Sequence, residues 1–521
     1  MTFVSFRFIV FAAVTVILYY ALPARAKWPA LLILSLGIYA SVNPLYLIFI
    51  SATSFSAYLA GLAIGKQNES YRSVSASVSD RSEKRRLKDK RDRANKKILV
   101  LALIFELGIL AVTKYTNFVL ENITRIVDAG KEFEPLDILI PMGISYYTFQ
   151  TVSYVIDTYR GGKAEKNPAR LLLFTSFFPQ LVQGPISRYK DLAPSLFTPH
   201  RLSWDNITAG LIRISYGYFK KVVIADRMIT AVRAMSADTE SYSGIYVFLL
   251  MLFYAVDLYA DFTGGIDITV GIARLMGIEL KENFDLPYFS KNIKEYWNRW
   301  HITMGSWFTD YIFYPMSVSR VCLRLSKWSR EHLGNAIGKR VTVYLSAFAV
   351  WLFTGIWHGA AWNFIVWGLL NFVVIMISRE LEPLYAKFHK KTGLKGRKPY
   401  SVFEMLRTFI LMSAIRILDV YGDVPLTFRM VGSIFASPAK LTTGMLLATG
   451  LTASDFAVLG AGSLILLVTG IIKYNKGSII EKLSARPFLC CSTVAALILL
   501  TLTFGAYGIG YDSSQFIYNK Y

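Results

Sequence analysis

Apolar runs about as long as a bilayer is thick recur along nearly the whole chain, and nothing else in it limits the fold as strongly. Crossing the hydrocarbon takes about 20 residues of helix. Stretches of that order lie at 8–22, 28–65 (a hairpin turning near Asn43-Pro44), 98–118, 138–157, 171–186, 206–233, 244–278, 341–376, 402–418, 456–473 and 488–510. With 54% hydrophobic and only 18% charged residues, a soluble core could not hide the apolar surface, and disorder needs the opposite bias. The expected fold is an all-α, polytopic integral membrane protein, a single multi-pass domain over 1–521. It would have about eleven transmembrane helices plus re-entrant or interfacial ones. Residues 138–376 form its motif-bearing core and 402–521 its C-terminal helices. Two stretches should be irregular. The segment 171–186 is short and holds Pro179, Gly184 and Pro185, as in a broken or re-entrant helix. The segment 341–376 is long for one helix and short for two, so it should break near Gly355 or Gly359.

Lys and Arg number 57 against 35 Asp and Glu, a formal charge of +22. In a soluble protein that excess would point to nucleic acid, but no nucleic-acid motif accompanies it. Here the bases cluster between apolar spans, as in cytoplasmic loops facing anionic lipid. Twelve of the 32 residues in 66–97 are Lys or Arg, which predicts a basic cytoplasmic loop or short helix. Residues 320–340 and 379–399 are basic connectors on the same side, whereas 119–137, with five acids and two bases, suits the outside. Arg25 and Lys27 after the first run outweigh Arg7 before it, so that run reads as an uncleaved span despite its signal-like Ala-Arg-Ala. Cys322, Cys490 and Cys491 make no disulfide framework.

Of five histidines, His200, His332 and His389 read as loop or connector residues. His358 lies in an apolar run with no Asp, Glu, Lys or Arg between Arg340 and Arg379. An imidazole there should face a cavity rather than lipid. Burial disfavours its cation, and a neutral ring is what a general base requires. Small Gly359, Ala360 and Ala361 would let a substrate approach. The alternative is a histidine that glues helices together. His301 sits in Tyr296–Tyr311, a stretch mixing aromatics with Asn298, Arg299, Thr303, Ser306 and Asp310. That stretch is too polar for a span. It reads either as an interfacial or re-entrant helix lining an aqueous funnel, or as a surface amphipathic helix anchored by tryptophans. Asp257, Asp261 and Asp267 interrupt the run 244–278 and need partners, for which Arg274, Lys220 and Lys221 are candidates. No P-loop, G-x-S-x-G elbow or metal spacing occurs, so neither a metal nor a bound cofactor is expected.

These residues stand in longer blocks: Ile140–Gly161, Phe178–Arg188, Tyr259–Gly277, Asn283–Tyr288, Tyr296–Pro315 and Trp357-His358-Gly359. Together and in order, the blocks resemble the membrane-bound O-acyltransferase family, specifically its bacterial alginate O-acetylase branch. The resemblance implies a multi-helix fold in the bacterial inner membrane, with a funnel from outside meeting a passage from the cytoplasm near His358, the family's invariant histidine. His301 maps onto the family's second histidine. It also implies transfer of an acetyl group from acetyl-CoA or a similar cytoplasmic thioester across the membrane, and O-acetylation of an exported polysaccharide with an extracytoplasmic acetyltransferase partner. On this reading His358 and His301 are the catalytic pair, with Asn363, Asn298, Asp310 and Asp261 supporting or orienting. Peptidoglycan O-acetylation and D-alanyl transfer to teichoic acid are alternatives within the class. The other class, a multi-pass transporter, favours two related halves, and no such repeat is visible. The ending Gln515–Tyr521 departs from the aromatic ending of many relatives, so the resemblance does not carry a tail contact with a partner to this chain.

Overall fold

The computed structural model describes residues 3–128, 130, 132–437 and 439–507; the ending Gln515–Tyr521 lies outside the described residues. Among these the chain is helical, with one isolated antiparallel bridge, Phe284–Trp300. Seven helices are long and apolar enough to cross a membrane: Tyr46–Ser77, Arg81–Val127, Ile245–Leu275, Asn335–His358, Trp362–Glu380, Ala453–Lys476 and Pro487–Phe504. The chain is thus a multi-pass membrane protein. The other apolar stretches give helices that are short, interrupted or charged. Phe6–Ala21, Lys27–Val42 and Ile144–Tyr159 have 16 residues each. Trp204–Tyr218 runs into a π-turn, and Lys398–Tyr421 carries Glu404, Arg407, Arg416 and Asp419.

Two compact units are present. The first comprises Ile9–Asn206 and Ile272–Leu280. Its hairpin turns at residues 43–45, between Lys27–Val42 and Tyr46–Ser77. The basic stretch 66–97 is not a loop. It forms the end of Tyr46–Ser77 and the start of Arg81–Val127, with Asp80 accepting from the Ser82 and Glu83 amides as the N-cap. Lys, Arg and Glu are good helix formers, which accounts for the difference. The 47-residue helix is about 70 Å long, more than twice a hydrocarbon core of about 30 Å, so its charged half stands clear of the lipid. Helix Pro168–Ser176 stops short, and the chain continues through buried turns past Phe177, Gln180 and Gln183, the expected broken backbone. Against these turns Gly143 adopts φ +75°, and a Cβ there would lie 2.2 Å from the Leu181 carbonyl oxygen. His200 is half-buried, its Nε2 2.7 Å from the Ser195 carbonyl.

The second unit comprises Ile207–Gly271, the described residues from Lys281 onward and those before Ile9. Its centre is the helix Ile245–Leu275, packed so closely on Trp204–Tyr218 that a Cβ on Gly217 would come within 2.7 Å of the Gly264 carbonyl oxygen. Small residues allow such approach between helices in lipid. The π-turn Phe219–Ala225 sets two consecutive lysines on different partners. Lys220 Nζ lies 2.5 Å from Asp267, which also binds Arg213 at 2.8 Å. Lys221 Nζ lies 2.5 Å from Asp261 and 2.7 Å from Asp226. Two of the three carboxylates in 244–278 thus have lysine partners, whereas Arg274 pairs with Glu279 instead. Segment 341–376 breaks at Gly359–Ala361, between Asn335–His358 and Trp362–Glu380.

Lys221 neutralises two carboxylates that are all but withdrawn from solvent. Lys221→Met should therefore destabilise the protein by roughly 3–5 kcal/mol, read as a lowered thermal unfolding midpoint in detergent. Lys221→Arg should recover part of the loss.

Candidate active site

All six residues singled out from the sequence fall within the second unit. His358 is the last residue of Asn335–His358 and is buried. Its ring meets Trp367 edge-on at 4.6 Å between centroids and Trp357 at 5.1 Å, and stacks at 6.4 Å on Phe364. The helix ends there because Gly359 and Ala361 are extended, and Trp362–Glu380 then folds back. Close contact between these helices rests on Gly355 and Gly368: a Cβ on Gly368 would sit 2.4 Å from the Trp351 carbonyl oxygen. The room expected beside Gly359 is occupied, since a Cβ there would come within 2.3 Å of the Phe364 ring. Gly359 thus seats Phe364 against His358 rather than leaving space for a substrate.

His301 is fully buried (0% exposed) together with Trp300 and Trp307. The stretch is therefore no surface amphipathic helix; two short helices, Ile293–Arg299 and Ile302–Phe308, flank the histidine. His301 has φ 47° and ψ 54°, one of two non-glycine residues at positive φ among those described. Such a backbone costs about 1–3 kcal/mol and persists only where its surroundings impose it. Here residues 283–285 pair with 299–302. The Ile302 amide donates to the Asn283 carbonyl at 2.9 Å, the Asp285 amide to the Arg299 carbonyl at 3.0 Å, and Phe284 bridges Trp300. Phe262 closes one side of the imidazole at 5.0 Å.

The Asn283 side chain orients the ring. Its Oδ1 accepts from the Thr303 amide at 3.1 Å and from the Thr303 hydroxyl at 2.8 Å, and lies 3.2 Å from His301 Nδ1. A backbone N–H can only donate, so the amide oxygen faces it, and Nδ1 must then carry the proton. That leaves Nε2 as the basic nitrogen. Burial, and then the Arg416 guanidinium, push the His301 imidazole down to about 3, so the ring is neutral at physiological pH.

Trp357 links the two histidines, its ring 5.9 Å from that of His301 and 5.1 Å from that of His358. Arg416, which sequence reading passed over inside an apolar run, is the other organising residue. It is 5% exposed. Its guanidinium lies 4.5 Å from the Trp367 ring, 5.2 Å from Trp300 and 5.7 Å from Trp297, and its Nη1 is 3.2 Å from Asp419. The signal that could have found it is a base and an acid three residues apart directly after the uncharged stretch 408–415.

The supporting residues are placed unequally. Asn363 is buried one turn before Trp367; its Nδ2 donates to the Leu418 carbonyl at 3.2 Å, while its Oδ1 has no hydrogen-bond partner among the described residues. Trp367 Nε1 is buried likewise. Asn298 is exposed on Ile293–Arg299, and Asp310 is half-buried in the π-turn Thr309–Phe313. Asp261 is held by Lys221 and is next in sequence to Phe262, which touches His301. Of the remaining histidines in this unit, His332 is exposed and His389 meets the Tyr400 hydroxyl at 3.0 Å. Among the described residues no cluster of His, Cys, Asp and Glu could hold a metal ion.

Residues 167–418 match the model of the membrane-bound O-acyltransferase family. A probable alginate O-acetylase of Azotobacter vinelandii is 32% identical over 70% of this chain and 66% of its own length. A peptidoglycan O-acetyltransferase of Helicobacter pylori is 33% identical over 56% of this chain and 57% of its own. For a teichoic acid D-alanyltransferase of Bacillus subtilis the identity is 31%, over 46% and 59%. The chain thus covers less than two thirds of each relative's length.

Two outcomes follow from the geometry around His301. Asn283→Ala strands the donors of His301 and Thr303 and should lower stability by roughly 2–3 kcal/mol, measurable as a drop in the thermal unfolding midpoint. The depressed value of His301 means that the folded protein does not take up a proton that the unfolded chain binds near pH 6.5. The stability from this group should be complete above about pH 6.5 and fall as the pH drops toward 3. Histidine ¹⁵N NMR should show His301 neutral, with Nδ1 protonated, throughout pH 5–8.

Proposed function

This chain belongs to the membrane-bound O-acyltransferase family, and we propose that it moves an acetyl group from a cytoplasmic thioester such as acetyl-CoA across the bacterial inner membrane for O-acetylation of an exported, alginate-like polysaccharide. The observation that carries this reading is the pair of buried histidines joined through one tryptophan, His301–Trp357–His358. In the reaction, His358 accepts the proton of an attacking hydroxyl as its oxygen bonds to the thioester carbonyl carbon. The tetrahedral oxyanion collapses, the carbon–sulfur bond breaks, and the proton passes from His358 to the departing thiolate. Free CoA and an acetyl ester result.

The hydrogen bonds narrow what the second histidine contributes. With Nδ1–H given to Asn283, the neutral His301 has only an acceptor left at Nε2. It suits orienting a hydroxyl and does not suit stabilising an oxyanion. A donor for the oxyanion is the buried Trp367 Nε1–H, on the ring that packs against His358. Asn363 Oδ1, one turn away, adds a second acceptor. Aromatic walls on both rings keep bulk water from the thioester and so limit its hydrolysis. On this reading the basic segments 320–340 and 379–399 would face the donor side, as the positive-inside rule suggests, and an extracytoplasmic acetyltransferase partner would complete delivery to the polymer. The alginate-like acceptor is preferred to peptidoglycan or teichoic acid because the likeness to the probable alginate O-acetylase of A. vinelandii runs over 70% of this chain.

The test is transfer of labelled acetyl from acetyl-CoA by the protein in vesicles, with its partner and with alginate, peptidoglycan or teichoic acid as acceptor. His358→Ala should remain inserted and lose transfer by at least about a hundredfold, and His301→Ala should lose most of it. Undiminished transfer by His358→Ala would sink the mechanism. Transfer to peptidoglycan but not to alginate would move the acceptor assignment.

A further inference from the structure

Helix Arg320–Leu333 packs the wrong way round for a helix in water. Its buried face is Cys322, Ser326 and Ser329. Ser326 donates to the Gly338 carbonyl at 2.6 Å, and a Cβ on Gly338 would meet the Arg330 amide nitrogen at 2.8 Å. The large apolar residues point outward instead: Val321 is 66% exposed, Leu325 43% and Trp328 53%. They stand at i, i+4 and i+7, so they form one stripe. A helix facing water would bury that stripe and expose its serines. The medium outside the stripe is therefore apolar.

It cannot be the middle of the bilayer, because Arg320, Arg324 and Lys327 repeat at the same spacing on the adjoining face and are exposed. Cations at the bilayer centre are expensive, and an apolar stripe flanked by bases settles at the boundary between acyl chains and headgroups, where tryptophan is also favoured. The sign of the charge selects the headgroup. Residues 320–340 hold six bases and one acid, and 379–398 hold seven bases and two acids. Both segments lie at one end of the pair Asn335–His358 and Trp362–Glu380, tied there by Arg340–Glu380 at 2.9 Å and by the Tyr344 hydroxyl on Glu380. Helix Glu382–Thr392 repeats the pattern, with Leu384 57% and Phe388 46% exposed beside Lys387 and Lys391.

We propose that helices Arg320–Leu333 and Glu382–Thr392 form a docking surface for anionic phospholipid, the apolar stripe seated among acyl chains and the bases on the phosphates. The surface is independent of the acyltransfer reading and would hold whatever group the protein moves.

The full chain, purified in detergent, is incubated with equal phosphatidylglycerol and phosphatidylcholine, and retained lipid is read by native mass spectrometry. Wild type should keep phosphatidylglycerol at least about fivefold over phosphatidylcholine, and Arg324→Glu/Lys327→Glu should bring the ratio close to parity. Both positions are exposed, and an unchanged thermal unfolding midpoint verifies the fold of the variant. Separately, brominated phosphatidylglycerol in nanodiscs should quench a fluorescence component that Trp328→Phe removes. Equal retention by wild type, or a preference surviving in the double variant, overturns the proposal. Absence of the quenched component also overturns it, and would leave the stripe to an acidic protein partner.

Discussion

A guanidinium withdrawn from water has to be compensated, and the surroundings of Arg416 show how this protein does it. Asp419 supplies one counter-charge, and the faces of Trp297, Trp300 and Trp367 supply negative quadrupole on several sides. Two of those rings border the histidines. Trp367 abuts His358, and Trp300 is held by the Phe284 bridge that fixes His301. One buried cation thus fixes several aromatic planes at once and favours an uncharged imidazole at His301. Replacing Arg416 would loosen the walls of both histidines together.

The same rule, that charge in lipid has to be met by charge, runs through the second unit. The acids of Ile245–Leu275 meet lysines of the π-turn, and Arg227 reaches Asp455 at 2.8 Å and the Phe504 carbonyl at 2.8 Å. These links tie helices far apart in sequence where hydrophobic attraction between them is weak. Shape is provided by glycine, at Gly217 beside Gly264 and at Gly355 beside Gly368. Both devices position rather than react, and the Gly355–Gly368 contact braces the two helices on either side of the turn at His358.

How much of this could be read in advance followed from the range of the forces. Apolar run length gave the helical class, the turn near Asn43 and the break at Gly359. Desolvation gave the burial of His358 and the need of Asp261 and Asp267 for lysines. What escaped depends on contacts distant in sequence. Arg416 lies more than fifty residues beyond His358 and meets it through Trp367. The left-handed turn at His301 is imposed by Asn283, whose own polarity looks unremarkable in sequence. Gly359 reads as open space until Phe364 fills it. The basic stretch 66–97 looks like a loop by charge, yet its residues favour helix and Asp80 starts one. Short and interrupted helices such as Pro168–Ser176 cannot be told from spans by hydropathy alone.

The π-turn at Phe219–Ala225 has one last consequence. Consecutive residues on a helix project about 100° apart, and the widened turn is what lets Lys220 and Lys221 address carboxylates on either flank of their neighbour. Removing a single amino acid there would restore a regular coil, but it would also rotate one side of the segment against the other and take the lysines off their partners. Chain length is therefore fixed between Tyr218 and Asp226, and insertions or deletions that the outer turns absorb during divergence should be absent from this stretch.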